Sequence, residues 1–188
     1  MTSDTPHSRR AAIACGVLAP FGAAQAQPGL DAVAQDLARR AELQARLFNT
    51  GAMERWVEVA DPAESFTLMQ PFGGPATRGF DRSPAHLAAL SAAFRDGDAR
   101  IDLVQAVTSD SVAVLAYVER QEIAVLGLPK QDWSLRVTQV FQRQGAAWKL
   151  VHRHADPLVR PVLLQQAAAL AAGRATDEAD ARNTAPSR

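Results

Sequence analysis

Residues 133–157, WSLRVTQVFQRQGAAWKLVHRHADP, constrain this chain more than any other stretch. Two runs of period-two alternation flank a short turn containing Gly145, the pattern of a β-hairpin. In the first run Leu135, Val137, Gln139 and Phe141 share one parity; in the second, Trp148, Leu150, His152 and His154 do. A loop at Gln144–Gly145 sets Phe141 opposite Trp148 and Val137 opposite His152. One face of the hairpin then carries large apolar side chains and two imidazoles, the composition of a pocket wall.

The hairpin ends an ordered series of elements. Leu30, Val33, Leu37, Ala41 and Phe48 recur at helical spacing across residues 29–48. After Asn49-Thr50-Gly51, a second helix over Ala52–Ala60 presents Met53, Trp56 and Val57, and Asp61-Pro62 closes it. A short strand runs from Ser65 to Gln70, and Pro71-Phe72-Gly73-Gly74-Pro75 forms a loop. Ser83-Pro84 predicts a third helix start, a serine cap before proline at the first helical position, and Asp96-Gly97-Asp98 its end. Period-two strands follow over Ile101–Thr108 and Ser111–Val125. Helices segregated from antiparallel strands predict an α+β fold, a curved antiparallel sheet wrapped around N-terminal helices. On the sheet's other face Val104, Val112, Val114, Val118, Val140 and Val151 are apolar where a solvated face is polar. A second copy of the chain or the C-terminal helix is expected to cover it. That helix is expected over 159–173, between Asp156-Pro157 and Gly173.

Composition narrows the function. Of 188 residues 47% are hydrophobic and the formal net charge is +0, which fits one globular domain and gives no electrostatic footprint for nucleic acid or an anionic membrane. Cys15 is the only cysteine, so neither an internal disulfide nor a cysteine-built metal site is available. Ser8-Arg9-Arg10, an apolar run from Ala11 to Ala24 and Ala24-Gln25-Ala26 together read as a signal peptide over 1–26, with a possible twin-arginine export route. A periplasmic or secreted location follows, with no membrane association after cleavage. Residues 174–188 are small, polar and charged, a composition that predicts disorder.

Several blocks resemble the SnoaL-like branch of the nuclear-transport-factor-two-like (NTF2-like) superfamily. They are the Trp56 helix, LMQPFGGPATRGF (68–80), AYVERQ (116–121), LRVTQVFQR (135–143) and WKLVHRHADP (148–157). The resemblance covers the domain assigned here to residues 29–158. It implies a cone-shaped α+β barrel, like that of ketosteroid isomerase, enclosing one deep pocket, and homodimers joined through the outer face of the sheet. The fold carries isomerases, dehydratases and non-catalytic assembly modules alike. The related association domain of calcium/calmodulin-dependent kinase carries pocket arginines that align with Glu119 and Gln139, so a pocket of that type lacks its arginines here.

Candidate chemistry rests on Glu119, His152 and His154. A pocket-facing Glu119 is a candidate general base; its structural alternative is an ion pair with an arginine of a neighbouring strand. His152 and His154, two apart on one strand, are candidates for proton transfer or hydrogen bonding at the pocket, with structural roles as the alternative. As a metal site His-x-His supplies only two ligands, and Glu119 is the third only if strand pairing brings it across; no metal is assigned. Trp56, Phe72, Tyr117, Gln139 and Trp148 are the candidate pocket wall. The expected function is binding of a small, largely apolar molecule, with cofactor-free acid/base chemistry of isomerase or dehydratase type, or else a non-catalytic binding or dimeric assembly module.

Overall fold

The computed structural model describes residues 31–173. The signal peptide expected over 1–26, Cys15 and the tail expected over 174–188 lie outside the described residues. Helix α1 (Ala32–Asn49) starts at Asp31, whose carboxylate accepts from the Ala34 amide at 2.7 Å, and buries Leu37, Ala41, Gln44 and Ala45. Gly51, at φ 73°, turns the chain into α2 (Met53–Ala60). A Cβ on Gly51 would lie 2.9 Å from the Ser91 carbonyl oxygen, so the close approach needs glycine. Arg40 ties the two helices to the sheet. Its guanidinium donates to the carbonyls of Val59 (2.5 Å), Ala60 (2.7 Å) and Trp148 (2.6 Å), the last on the final strand.

The strands are β1 (Pro62–Met69), β2 (Thr77–Arg78), β3 (Phe94–Thr108), β4 (Val112–Val125), β5 (Gln131–Asp132), β6 (Leu135–Gln144) and β7 (Ala147–Asp156). Helix α3 (Pro84–Ala93) precedes β3, and α4 (Leu164–Ala171) follows the sheet. The strand order is β2-β1-β7-β6-β4-β3, with β5 on the end of β4. Only β1 and β7 run parallel; every other pair is antiparallel. Leu115, Tyr117, Val137, Phe141 and Leu150 on one face pack with Leu37, Ala41, Met53 and Trp56 of α1 and α2 into one core. The architecture is α+β, a curved, unclosed mixed sheet around the N-terminal helices.

β1 starts at Pro62 and not at Ser65, and three further differences from the sequence expectation have identifiable causes. First, β3 begins at Phe94, straight out of α3, and not after Asp98. Asp96-Gly97 is a bulge inside the strand, with Asp96 at φ 60°. A Cβ on Gly97 would lie 2.8 Å from the Glu122 carbonyl oxygen, so this glycine marks contact with β4 and not a helix end. Second, the C-terminal helix starts at Leu164 and not at Val159. Pro161 disfavours helical backbone at Arg160, and the Leu163 amide donates to Gln166 Oε1 at 3.0 Å to open the helix.

The third difference decides the site. Gly145 (φ 63°) occupies the first loop position of the β6–β7 hairpin, where a type II′ turn requires glycine. The loop is therefore Gly145–Ala146, Gln144 pairs with Ala147, and Phe141 faces Leu150. Beyond that pair Val151 is an extra residue in β7: Val140 faces His152, Gln139 faces Arg153 and Val137 faces Ala155. A one-residue bulge exchanges the faces of every residue after it. Val137 therefore does not face His152, and Phe141 does not face Trp148.

On the outer face, Val107 and Val112 are exposed beside half-buried Val114, Val118 and Val140. Val104 forms a second bulge in β3 and is exposed. Helix α4 leaves Leu163, Leu164 and Leu170 exposed as well.

Candidate ligand cavity

The concave face of the sheet and the two N-terminal helices enclose a cavity of about 350 Å³. Its walls are apolar: Phe66 and Leu68 from β1, Ala41, Ala45 and Phe48 from α1, Trp56 from α2, Leu90 from α3, Ile123 and Leu135 from β4 and β6, and Trp133 from the link between β5 and β6. Phe72 stands at the entrance, 44% exposed, with ring centroids 6.4 Å from Phe94 and 5.8 Å from Trp133. Exposed Thr77, Arg78 and Asp81 share that rim.

The polar lining comes from alternate positions of β4, β6 and β7. Tyr117 and Glu119 share the inward parity of β4 with Gln121; Gln139 holds it on β6, and Arg153 on β7 after the bulge. Arg153 reaches past Gln139 to Glu119, Nη2 to Oε2 at 2.9 Å, with the side chains 17% and 6% exposed. From α1, Gln44 Oε1 accepts from Gln139 Nε2 at 2.9 Å, and Asn49 Nδ2 donates to Gln121 Oε1 at 2.6 Å. Gln121 passes the chain on to the Trp133 carbonyl at 3.0 Å.

Two buried polar atoms in this set, Gln44 Nε2 and Gln139 Oε1, have no hydrogen-bond partner, and the Tyr117 hydroxyl, whose oxygen lies beside the Arg153 guanidinium, makes no well-formed hydrogen bond. Burial, and after it the Glu119 charge, raise the Tyr117 phenol well above its ordinary pKa, so it stays a neutral hydroxyl. Burial alone would lower the Arg153 pKa; the Glu119 carboxylate beside it outweighs burial and raises it. The cavity thus sets the Glu119–Arg153 pair beside neutral groups that lack well-formed hydrogen bonds. Buried polar atoms are nearly always paired, by protein, water or ligand. That arrangement suits a ligand that is mostly apolar and carries one compact polar end.

Of the residues expected here, Glu119, Trp56, Phe72, Tyr117 and Gln139 line the cavity. Glu119 also makes the arginine ion pair weighed as its alternative, with an arginine two strands away. His152 and His154 do not line the cavity, because the Val151 bulge turns them to the outer face. There His152 Nδ1 meets Thr67 Oγ1 at 2.7 Å, and His154 is exposed. Glu119 lies on the other side of the sheet, so the three cannot converge on one metal ion. Trp148 also lies outside the lining; it packs on the core under the Arg143 guanidinium, 4.9 Å from the ring centroid.

Sequence reasoning missed Arg153, Gln44, Asn49, Gln121 and His86. Gln44 was within reach: it falls on the helix face of Leu37 and Ala41, where a polar residue needs a buried partner.

No protein-family model matches the sequence, and neither does any curated protein. Solved structures do match. An uncharacterised protein with a cystatin-like fold from Caulobacter vibrioides is similar at 22% identity and TM-score 0.53, over 69% of this chain and 92% of that one. A candidate dehydratase of the NTF2-like family from Streptomyces avermitilis is similar at 18% identity and TM-score 0.54, over 69% and 97%. A candidate calcium/calmodulin-dependent protein kinase II association domain from Xanthomonas campestris is similar at 15% identity and TM-score 0.54, over 74% and 95%. The chain has the NTF2-like fold. At these identities the likeness is one of fold and does not single out the SnoaL-like branch.

Proposed function

We propose that this NTF2-like chain binds a small, largely apolar molecule in the cavity, its polar end against Gln44, Tyr117, Gln139 and the Glu119–Arg153 pair. The observation that carries this reading is the set of three buried polar atoms without a well-formed hydrogen bond on a mostly apolar lining. The fold shared with a candidate dehydratase is in keeping with it. Proton transfer, on this reading, falls to Glu119, Tyr117 or His86 of α3, the imidazole that does line the cavity, and not to His152 or His154. Glu119 is committed to Arg153, so the geometry favours binding over catalysis. Trp56 and Trp133 line the cavity and report occupancy. A panel of alicyclic and aromatic ligands, read by tryptophan fluorescence and thermal shift, is expected to yield saturable hits; a ligand bound at 100 times its Kd stabilises by about 2.7 kcal/mol. Trp56→Ala, which opens the wall, is expected to weaken every hit, and a panel with no hit refutes the reading.

A homodimer through the outer face belongs to the same proposal. Exposed Val107 and Val112, continuous with Val114, Val118 and Val140, are its support; the association-domain neighbour makes assembly compatible with the fold. Light scattering is expected to give twice the chain mass, and Val112→Lys with Val107→Glu to halve it. A monomeric wild-type protein at micromolar concentration refutes this part.

A further inference from the structure

Resting on the cavity reading, we propose that the ligand's polar end is an uncharged carboxamide or lactam, and that the site discriminates against carboxylates. Charge comes first. Among the described residues Arg153 is the arginine or lysine that lines the cavity away from the rim, and Glu119 already occupies it at 2.9 Å. Of the other charged or titratable lining residues, Arg78 and Asp81 are exposed at the rim, and half-buried His86 of α3 stands edge-on to the Phe80 ring, 5.8 Å away. A carboxylate at the polar end competes with Glu119 for the guanidinium while lying beside the Glu119 charge. A cation meets Arg153. An uncharged group meets neither penalty.

Hydrogen bonding then selects among uncharged groups. Gln44 Nε2 is a spare donor, Gln139 Oε1 a spare acceptor, and the Tyr117 hydroxyl a second spare donor. The Gln44 and Gln139 amides bond to each other, so reversing both still leaves one spare NH₂ and one spare carbonyl. A ligand amide offers a carbonyl and an N–H on adjacent atoms, the complement of that pair. A ketone accepts but cannot donate. The three atoms are closed off from solvent, so the proposed contacts require the two glutamine amides to turn toward the hollow as the ligand enters.

The test uses three probes with one body: cyclohexanecarboxamide, cyclohexanecarboxylate and methyl cyclohexyl ketone, titrated at pH 7.5 by calorimetry and tryptophan fluorescence. The amide is expected to bind about tenfold more tightly than the carboxylate and severalfold more tightly than the ketone. Glu119→Gln frees Arg153 and is expected to reverse the order of amide and carboxylate. A carboxylate that binds wild type as tightly as the amide, or gains nothing in Glu119→Gln, overturns the inference while the cavity reading stands. A ketone that matches the amide also overturns it. No binding by any of the three, in a protein that also ignores the wider panel, sinks the cavity reading itself. Should Glu119→Gln fail to fold, Tyr117→Phe decides: the amide is expected to weaken about threefold or more, and an unchanged affinity refutes the assignment.

Discussion

Glu119 and Arg120 are consecutive residues of β4, and each enters an ion pair, one on each face of the sheet. Glu119 points into the cavity and meets Arg153 at 2.9 Å, with side chains 6% and 17% exposed. Arg120 points out and meets Asp102 at 2.8 Å, with side chains 38% and 42% exposed, and Asp102 also receives Arg100 at 2.5 Å. The distances are nearly equal, so geometry does not separate the two pairs. Solvent does. Water outside screens the Asp102 cluster and stands ready to replace a lost partner; the cavity offers Glu119 no such substitute.

The largest expected consequence concerns Arg153. Arg153→Met leaves the Glu119 carboxylate buried without its cation, and urea unfolding is expected to show a loss of about 3–5 kcal/mol. Adding Glu119→Leu is expected to recover most of it, because a pair of apolar side chains removes both charges from the interior. A single-variant loss under about 1 kcal/mol would mean that solvent reaches the pair after all, and the contrast between the faces would collapse.

The next test bears on how much of the molecule could be read from its residues. Element order, the α+β class and the hairpin were legible, because periodicity and turn residues such as Ser83-Pro84 act locally. Tyr117, Glu119 and Gln139 were legible as cavity residues because β4 and β6 alternate without interruption between Val112 and Phe141. The arginine on β7 was not. A single unpaired residue, Val151, reverses the parity of HRHA, and nothing in WKLVHRHADP distinguishes a bulge from a continued ladder. The imidazoles exchanged places with Arg153 for that reason alone. His152→Ala is thus expected to cost only the bond to Thr67, about 0.5–1.5 kcal/mol, and to leave the affinity of any cavity ligand unchanged. A ligand affinity that falls in His152→Ala or His154→Ala would put an imidazole back at the cavity.

The smallest effect is expected on the exposed pair, and pH reveals it. The hydrogen bond from Arg120, reinforced by the positive charges of Arg120 and Arg100, holds the Asp102 carboxyl below its ordinary pKa. A carboxyl depressed in the folded state binds a proton more readily when unfolded. Its stabilising contribution is therefore complete above the unfolded value near 4, and it fades as pH falls through the lower folded value. Asp102→Asn removes that contribution, so the variant is expected to melt slightly below wild type at pH 7, and the two curves to draw together as pH falls below the unfolded value. Solvent exposure keeps the gap at pH 7 under about 1 kcal/mol. A larger gap would show that the outer face is covered in solution, since only exclusion of water could bring the Asp102 pair toward the behaviour of the Glu119 pair. The same measurement across a dilution series separates the causes: a gap that shrinks as the protein is diluted belongs to a second copy of the chain, and one that persists belongs to the monomer.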